Sequence, residues 1–314
     1  MTTPILTVSG LGRTFAAPGG RSLTAVEDVS FAIAPGETLG IVGESGCGKS
    51  TLARLVLKLL PATAGRIALD GRDVTDLAER AMRPLRPAMQ AVFQDPMSSM
   101  NPRMRVGDIV AEPLRAVGMP AAARRARVRE VVAVVGLPED AIERYPHAFS
   151  GGQRQRIAIA RALAASPRLI VCDEATSALD VSVQAQVLNL LADLRARFGL
   201  SMMFISHNLG AVRHVSDRVA VMYLGRIVEI GAEADIFDRP AHPYTRALLA
   251  AVLEPEPGAP VVAPLAGEIP SPLDRPSGCH FHTRCPRAAD RCRAEDPGLD
   301  ARRAGHHVRC HFPD

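Results

Sequence analysis

One stretch constrains this chain more than any other: Gly43-Glu44-Ser45-Gly46-Cys47-Gly48-Lys49-Ser50-Thr51. It fits the pattern Gly, four residues, Gly-Lys-Ser/Thr, which binds phosphate. The apolar run Thr38 to Val42 leads into it and reads as a buried strand. Behind it Leu52, Leu55, Val56 and Leu59 recur at helical spacing. Strand, glycine loop and helix are the context the pattern needs. Glycines let successive N–H groups turn inward around an anion, and the new helix adds its positive end. Lys49 can reach the β- and γ-phosphates, and the Ser50 hydroxyl can ligate Mg²⁺. The chain has 37 cationic side chains, of which only Lys49 and Lys58 are lysine. An otherwise arginine-using chain keeps a compact ammonium where a planar guanidinium fits poorly. The reading is an α/β fold with a nucleotide-binding core.

With 314 residues and 47% apolar content there is material for one large domain or two modest ones. Aromatics are 4% with no Trp, so Ala, Val, Leu and Ile must fill the core. The net charge of +4 gives no argument for nucleic acid, and none is expected as a partner. No apolar run is long enough to span a bilayer, and the first residues show no basic-then-apolar secretory pattern.

Short strands are expected at residues 5–8, 23–33 and 66–69, giving an antiparallel β subdomain beside the nucleotide-binding unit. Phe15 stands where it can stack on a base; an ordinary strand-end Phe is the plain alternative. Met89 to Phe93 reads as a strand ending at Gln94. Residues 106–165 look helical and form a helical subdomain, about 96–165, inserted in the α/β core. Ser150 and Gln153 have capping-box spacing, which alone marks a helix start. Gly151 and Gly152 are poor helix formers there, and suit N–H groups that must approach another molecule closely. Leu169 to Asp173 reads as a buried parallel strand. Asp173 and Glu174 stand at its C-terminal end, where open α/β sheets bind ligands. Asp173 would hold Mg²⁺ and Glu174 would orient or deprotonate water. A helix is expected over 183–198, then a strand from 202 ending near His207. Gln94, Asp173 and His207 all follow strands and can line one crevice. Residues 219–224 and 226–230 flank Gly225 as a closing hairpin, and a short helix follows Tyr244. Residues 254–276 hold seven prolines and read as a linker or extended wrap.

In this order the phosphate loop, Gln94, Ser150-Gly151-Gly152-Gln153, residues 169–174, Ser177 to Asp180 and His207 resemble the ATP-binding-cassette ATPases. The resemblance covers about residues 5–252. Finer stretches resemble the oligopeptide/dipeptide importer branch. They are Phe93 to Pro102, Ala178 to Gln186, His242-Pro243-Tyr244-Thr245 and the Cys-rich C-terminus. The resemblance implies an ATPase domain over 1–253 and, over 254–314, a Pro-rich linker with an irregular Cys-rich tail. It implies two cassettes closing head to tail around two ATP. Lys49 and the loop amides of residues 43–51 hold one ATP. Ser50, Gln94 and Asp173 serve Mg²⁺, Glu174 acts on water and His207 contacts the γ-phosphate. Ser150, Gly151, Gly152, Gln153 and Asp180 act in trans. It also implies a second, non-identical ATPase subunit, two transmembrane permease subunits and an extracytoplasmic solute-binding protein. The chain would then lie peripherally at the cytoplasmic face of the membrane. A soluble cassette ATPase acting on ribosomes or DNA is the alternative. Three departures from the family pattern are Phe15 for Tyr, Ala175 for Pro and Asn208 for Asp.

Of six cysteines, Cys279, Cys285, Cys292 and Cys310 fall in the last 36 residues, separated by five, six and seventeen residues. That is not zinc-finger spacing. Four thiolates are the ligand set of zinc or an iron–sulfur cluster, and unligated thiols are the bland alternative. The resemblance favours a four-iron–four-sulfur (4Fe–4S) cluster. His280, His282, His306, His307 and His311 crowd the same region and can replace a ligand.

Overall fold

The computed structural model describes residues 3–251 and 267–314. The first part of the Pro-rich segment expected at 254–276 lies outside them. The chain divides into two compact units that do not follow chain order. One comprises Met1–Leu6, Ala32–Thr38 and Ala68–Ser206, the other Thr7–Phe31, Leu39–Ile67 and His207–Asp314.

The first unit is built on three parallel strands, Met89–Phe93, Leu169–Asp173 and Ser201–Ile205. Leu169–Asp173 and Ser201–Ile205 are buried throughout, as expected of strands covered on both faces. Their register aligns Phe93 with Asp173 and Asp173 with Ile205. Gln94, Glu174 and Ser206 therefore leave the sheet at the same end.

The helical subdomain is more broken than its composition predicts. Instead of near-continuous helix it has Val106–Val110, Glu112–Ala116, Ala121–Val134 and Gly151–Ala164, with single turns at Glu139–Glu143 and Pro146–Ala148. The stops are local. Gly118 and Gly136 adopt left-handed φ of 73° and 72°. The amide after each reaches back to satisfy a free carbonyl, Met119 N–H to Leu114 O and Leu137 N–H to Val132 O. Ala121–Val134 buries only Val128, Val131 and Val132, one narrow stripe. Arg127 closes the end of the Gly151–Ala164 helix by donating to the carbonyls of Leu163 (2.9 Å) and Ala164 (3.2 Å).

In the second unit Thr38–Val42 runs parallel to Arg218–Tyr223, whose antiparallel partner is Arg226–Ala232. The turn between them places Leu224 and Gly225 both at positive φ, 43° and 84°, the geometry of a tight hairpin. The tail was expected to be irregular. Instead His306–Val308 pairs antiparallel with Arg226–Ala232, and Asp300–Arg303 pairs with His306–Val308. Three residues are too few for a strand pattern to be read, and the strand exists because its partner's edge is there to receive it. Ser22–Ile33, Leu6–Ala16 and Ala64–Leu69 form a separate sheet in that order. The first N-terminal strand is longer than expected and carries Phe15.

Candidate nucleotide site and cysteine tail

The phosphate loop leaves Val42 and enters the helix Lys49–Val56. Gly43 and Gly48 have φ of 150° and 106°. A β-carbon on Gly43 would lie 2.2 Å from the Met222 carbonyl oxygen, and one on Gly48 2.3 Å from that of Ala25. Both positions are closed to other residues by conformation and by space. The hairpin apex buttresses the loop, with the Gly225 N–H donating to the Cys47 carbonyl at 2.8 Å. Lys49 is 5% exposed, and its ammonium donates to the carbonyls of Gly43 (2.7 Å) and Glu44 (2.9 Å). Its charge is thus held at the centre of the loop. Phe15, in the same unit, is half-buried with the Arg13 guanidinium 4.5 Å over its ring.

In the other unit Asp173 is 8% exposed at its strand end. Glu174 has φ of 51°, a left-handed conformation that costs a non-glycine residue about 1 kcal/mol. It is fixed there by its own N–H donating to the Ile205 carbonyl (2.9 Å) and by Ser177, whose N–H and hydroxyl donate to the Glu174 carbonyl. Gln94 is exposed beside this end.

The capping box at Ser150 is formed: the Gln153 N–H reaches Ser150 Oγ and the Ser150 N–H reaches Gln153 Oε1. Ser150, Gly151 and Gln153 are exposed, and Gly152 is buried. Gly152 has a reason the sequence did not reveal, since a β-carbon there would meet Val183 Cγ1 at 2.3 Å. Asp180 is exposed at the start of the helix Val181–Phe198. His207 opens the last segment of the second unit. Asn208 caps the helix Leu209–Val215 by accepting the Ala211 N–H at 3.1 Å. An Asp can make the same cap, which accounts for the tolerance of Asn there.

The four tail cysteines are all unpaired with one another and line one small cavity, together with His282 and His311. Burial pushes the Cys279 thiol up to about 11, and the thiols of Cys310, Cys292 and Cys285 push the same way. Burial also raises Cys285 and Cys310, again with help from neighbouring thiols. Among the described residues no three His, Cys, Asp or Glu side chains stand at the spacing of a single metal ion. His306 and His280 are used elsewhere. His306 is paired with Glu229 at 2.8 Å, and His280 lines a second cavity beside Tyr223 and Arg226. Two residues of the second unit that touch the phosphate loop carried no sequence signal of that role. Tyr244 accepts the Glu44 N–H, and Arg284 pairs with the Glu44 carboxylate. Nothing in the sequence singles out one arginine among so many.

A phosphate loop entering a helix, two carboxylates at a parallel strand end and a capped Ser-Gly-Gly-Gln helix start define the ATP-binding-cassette class. Residues 26–177 match the ABC transporter family, and residues 228–292 match the oligopeptide/dipeptide transporter C-terminal region. Solved cassettes share the fold. CbiO1 from Clostridium perfringens superposes with a TM-score of 0.68 at 28% identity, over 76% of this chain and 92% of that one. The cassette MJ0796, dimeric and bound to ADP and Pi, gives 0.66 at 28% identity, over 73% and 98%. A putative peptide import ATP-binding protein of Brucella ovis is 52% identical over 98% of both chains. The oligopeptide transport ATP-binding protein OppF of Salmonella typhimurium is 50% identical over 89% of this chain and 85% of its own. The chain belongs to the ATP-binding subunits of the oligopeptide/dipeptide ABC transporters, and its activity is ATP hydrolysis that powers import. The alternative of a ribosome- or DNA-directed cassette is not favoured by these relatives. Among the described residues no helix is long and apolar enough to cross a membrane.

Proposed function

We propose that this chain hydrolyses ATP to drive uptake of di- or oligopeptides, or solutes of similar chemistry, through a membrane permease. Glu174 carries the reading: an acidic side chain held in a strained conformation at a strand end, directly after buried Asp173. The loop amides of Gly43, Ser45, Gly46, Cys47 and Gly48, with Lys49, Ser50 and Thr51, hold the triphosphate, Glu44 shapes that loop because its own N–H is taken by Tyr244, and Phe15 stacks on the base. Ser50, Gln94 and Asp173 offer only oxygen donors, the set that suits Mg²⁺. When bound, Mg²⁺ neutralises charge on the β- and γ-phosphates. Glu174 orients the attacking water and takes its proton, and His207 holds the γ-phosphate. Ser150, Gly151, Gly152, Gln153 and Asp180 cap the nucleotide of an opposing cassette. The rest is positioning and charge neutralisation.

The complex we envisage has a second, non-identical ATPase subunit, two permease subunits and an extracytoplasmic solute-binding protein. The chain lies peripherally at the cytoplasmic face. Residues 1–253 form the ATPase domain and 254–314 the linker and tail. The test uses the complex from gently solubilised membranes. Glu174→Gln should bind MgATP within a few-fold of the parent and lose about 10²-fold or more in turnover. Near-normal turnover would overturn the assignment.

Cys279, Cys285, Cys292 and Cys310 we assign to a 4Fe–4S cluster. What supports the reading is that four free thiols line one cavity, the ligand number a cluster takes. Its role is structural, pinning the tail. Protein purified anaerobically should carry about four iron and four sulfide per chain, with broad visible absorbance. Colourless, iron-free protein refutes it.

A further inference from the structure

Glu44 is an unexpected residue in a loop that receives phosphates, because its carboxylate carries the same sign of charge as the ligand. Every polar group it has is held. Its N–H donates to the Tyr244 hydroxyl at 3.0 Å. Its carbonyl accepts from Lys49 Nζ at 2.9 Å. Its carboxylate accepts a two-pronged contact from Arg284, Nη1 to Oε2 at 2.8 Å and Nη2 to Oε1 at 3.0 Å. Such forks are the strongest and most directional of ion pairs, and a lysine cannot make one. The Arg284 side chain is 5% exposed and that of Glu44 23%, so solvent screens the pair little.

Arg284 reaches Glu44 from the cysteine tail, one residue before Cys285. Its approach is fixed by an aromatic platform. The guanidinium lies 5.9 Å from the Tyr223 ring centre. Phe281, three residues earlier in the tail, meets Tyr223 edge-on at 5.3 Å and Tyr244 at 5.4 Å. The same Tyr244 receives the Glu44 N–H. Tail, aromatic platform and phosphate loop are thus one connected set of contacts within a single unit.

We infer that Arg284 is a positioning residue for ATP hydrolysis: it cancels the charge of Glu44 and anchors the loop in the shape that accepts a triphosphate. This rests on reading residues 43–51 as the triphosphate site. Without Arg284 a partly buried carboxylate stands uncompensated in that loop, repelling the nucleotide more strongly the more phosphates it carries.

The experiment measures dissociation constants of the full chain for MgADP and for the Mg²⁺ complex of a non-hydrolysable ATP analogue, with thermal melts to verify folding. Arg284→Met is expected to weaken the ATP analogue about tenfold, equivalent to about 1.4 kcal/mol, and MgADP less. Adding Glu44→Gln to Arg284→Met should recover most of that loss, because the repelling charge is then gone. A merely structural contact would lower the melting temperature of Arg284→Met without weakening the ATP analogue more than MgADP. Arg284→Lys keeps the charge and should fall between Arg284→Met and the parent. If Arg284→Met does not fold, the comparison of Arg284→Lys with its Glu44→Gln double variant decides by the same rescue. Lys49→Ala is the control for the site itself. If it loses binding while Arg284→Met binds like the parent, the role of Arg284 is overturned. A loss that Glu44→Gln leaves unrelieved also overturns it. If Lys49→Ala binds normally, the reading of the loop fails instead.

Discussion

Glu229 has no exposed surface, yet it carries a carboxyl group. It is tolerated because its oxygens are used: Oε1 accepts the Ala241 N–H (2.8 Å) and lies 2.8 Å from His306 Nε2, and Oε2 accepts the His242 N–H (3.0 Å). One side chain thereby joins the hairpin strand, the start of the helix Pro243–Ala250 and the tail. Removing one partner of such a group leaves the others buried and unpaired. Glu229→Ala should cost about 3–5 kcal/mol, read as a shift in the denaturant midpoint. A change below about 1 kcal/mol would mean that the network contributes little. None of this was legible beforehand, since Glu229 sits in an apolar run and its partners are 12 to 77 residues away. The places of Lys49, Asp173 and Glu174 were legible because they are written in local context, a loop after a strand or a carboxylate at a strand end. Arg284 was not, because its meaning comes only from what the tail's path brings against Glu44.

At the scale of elements, strands that are mostly apolar and bounded by turn or polar residues were readable to the residue, as at Thr38–Val42 and Met89–Phe93. The helix Leu209–Val215 and the strands Asp300–Arg303 and His306–Val308 were not expected. They are short, and short elements owe their existence to the surface they pack on rather than to a repeat in their own sequence. The tail strand His306–Val308 covers the hairpin strand Arg226–Ala232, which would otherwise offer unpaired backbone groups. Deleting residues 299–314 should therefore leave a chain that self-associates, seen as high-mass species in size-exclusion chromatography with light scattering. A monodisperse truncated chain would show that this edge needs no cover.

At the scale of the whole molecule, the order of function in the sequence differs from the order of assembly in space. Gln94, Ser150, Asp173, Glu174 and Asp180 belong to one compact unit, and the phosphate loop, His207 and the cysteine tail to the other. A left-to-right reading sees motifs in sequence and places one domain after another. It cannot see that residues 7–31, 39–67 and 207–314 form one body.

That discontinuity bears on how the protein is made. A growing chain releases the phosphate loop early, but the strand beside it, Arg218–Tyr223, emerges much later, and the last strand of this sheet to be made ends only at Val308. At roughly 5–20 residues per second, the stretch from residue 67 to residue 223 takes about 8–31 s to synthesise. Throughout that interval the loop's own strand waits without its permanent neighbour, exposed to wrong partners and to chaperones. A ribosome that stops early leaves a product with every residue of the loop but without the later residues that contact it. Only chains translated past residue 308 carry every strand of this unit, and the loop's contacts from Gly225, Tyr244 and Arg284 arrive one after another along that late stretch.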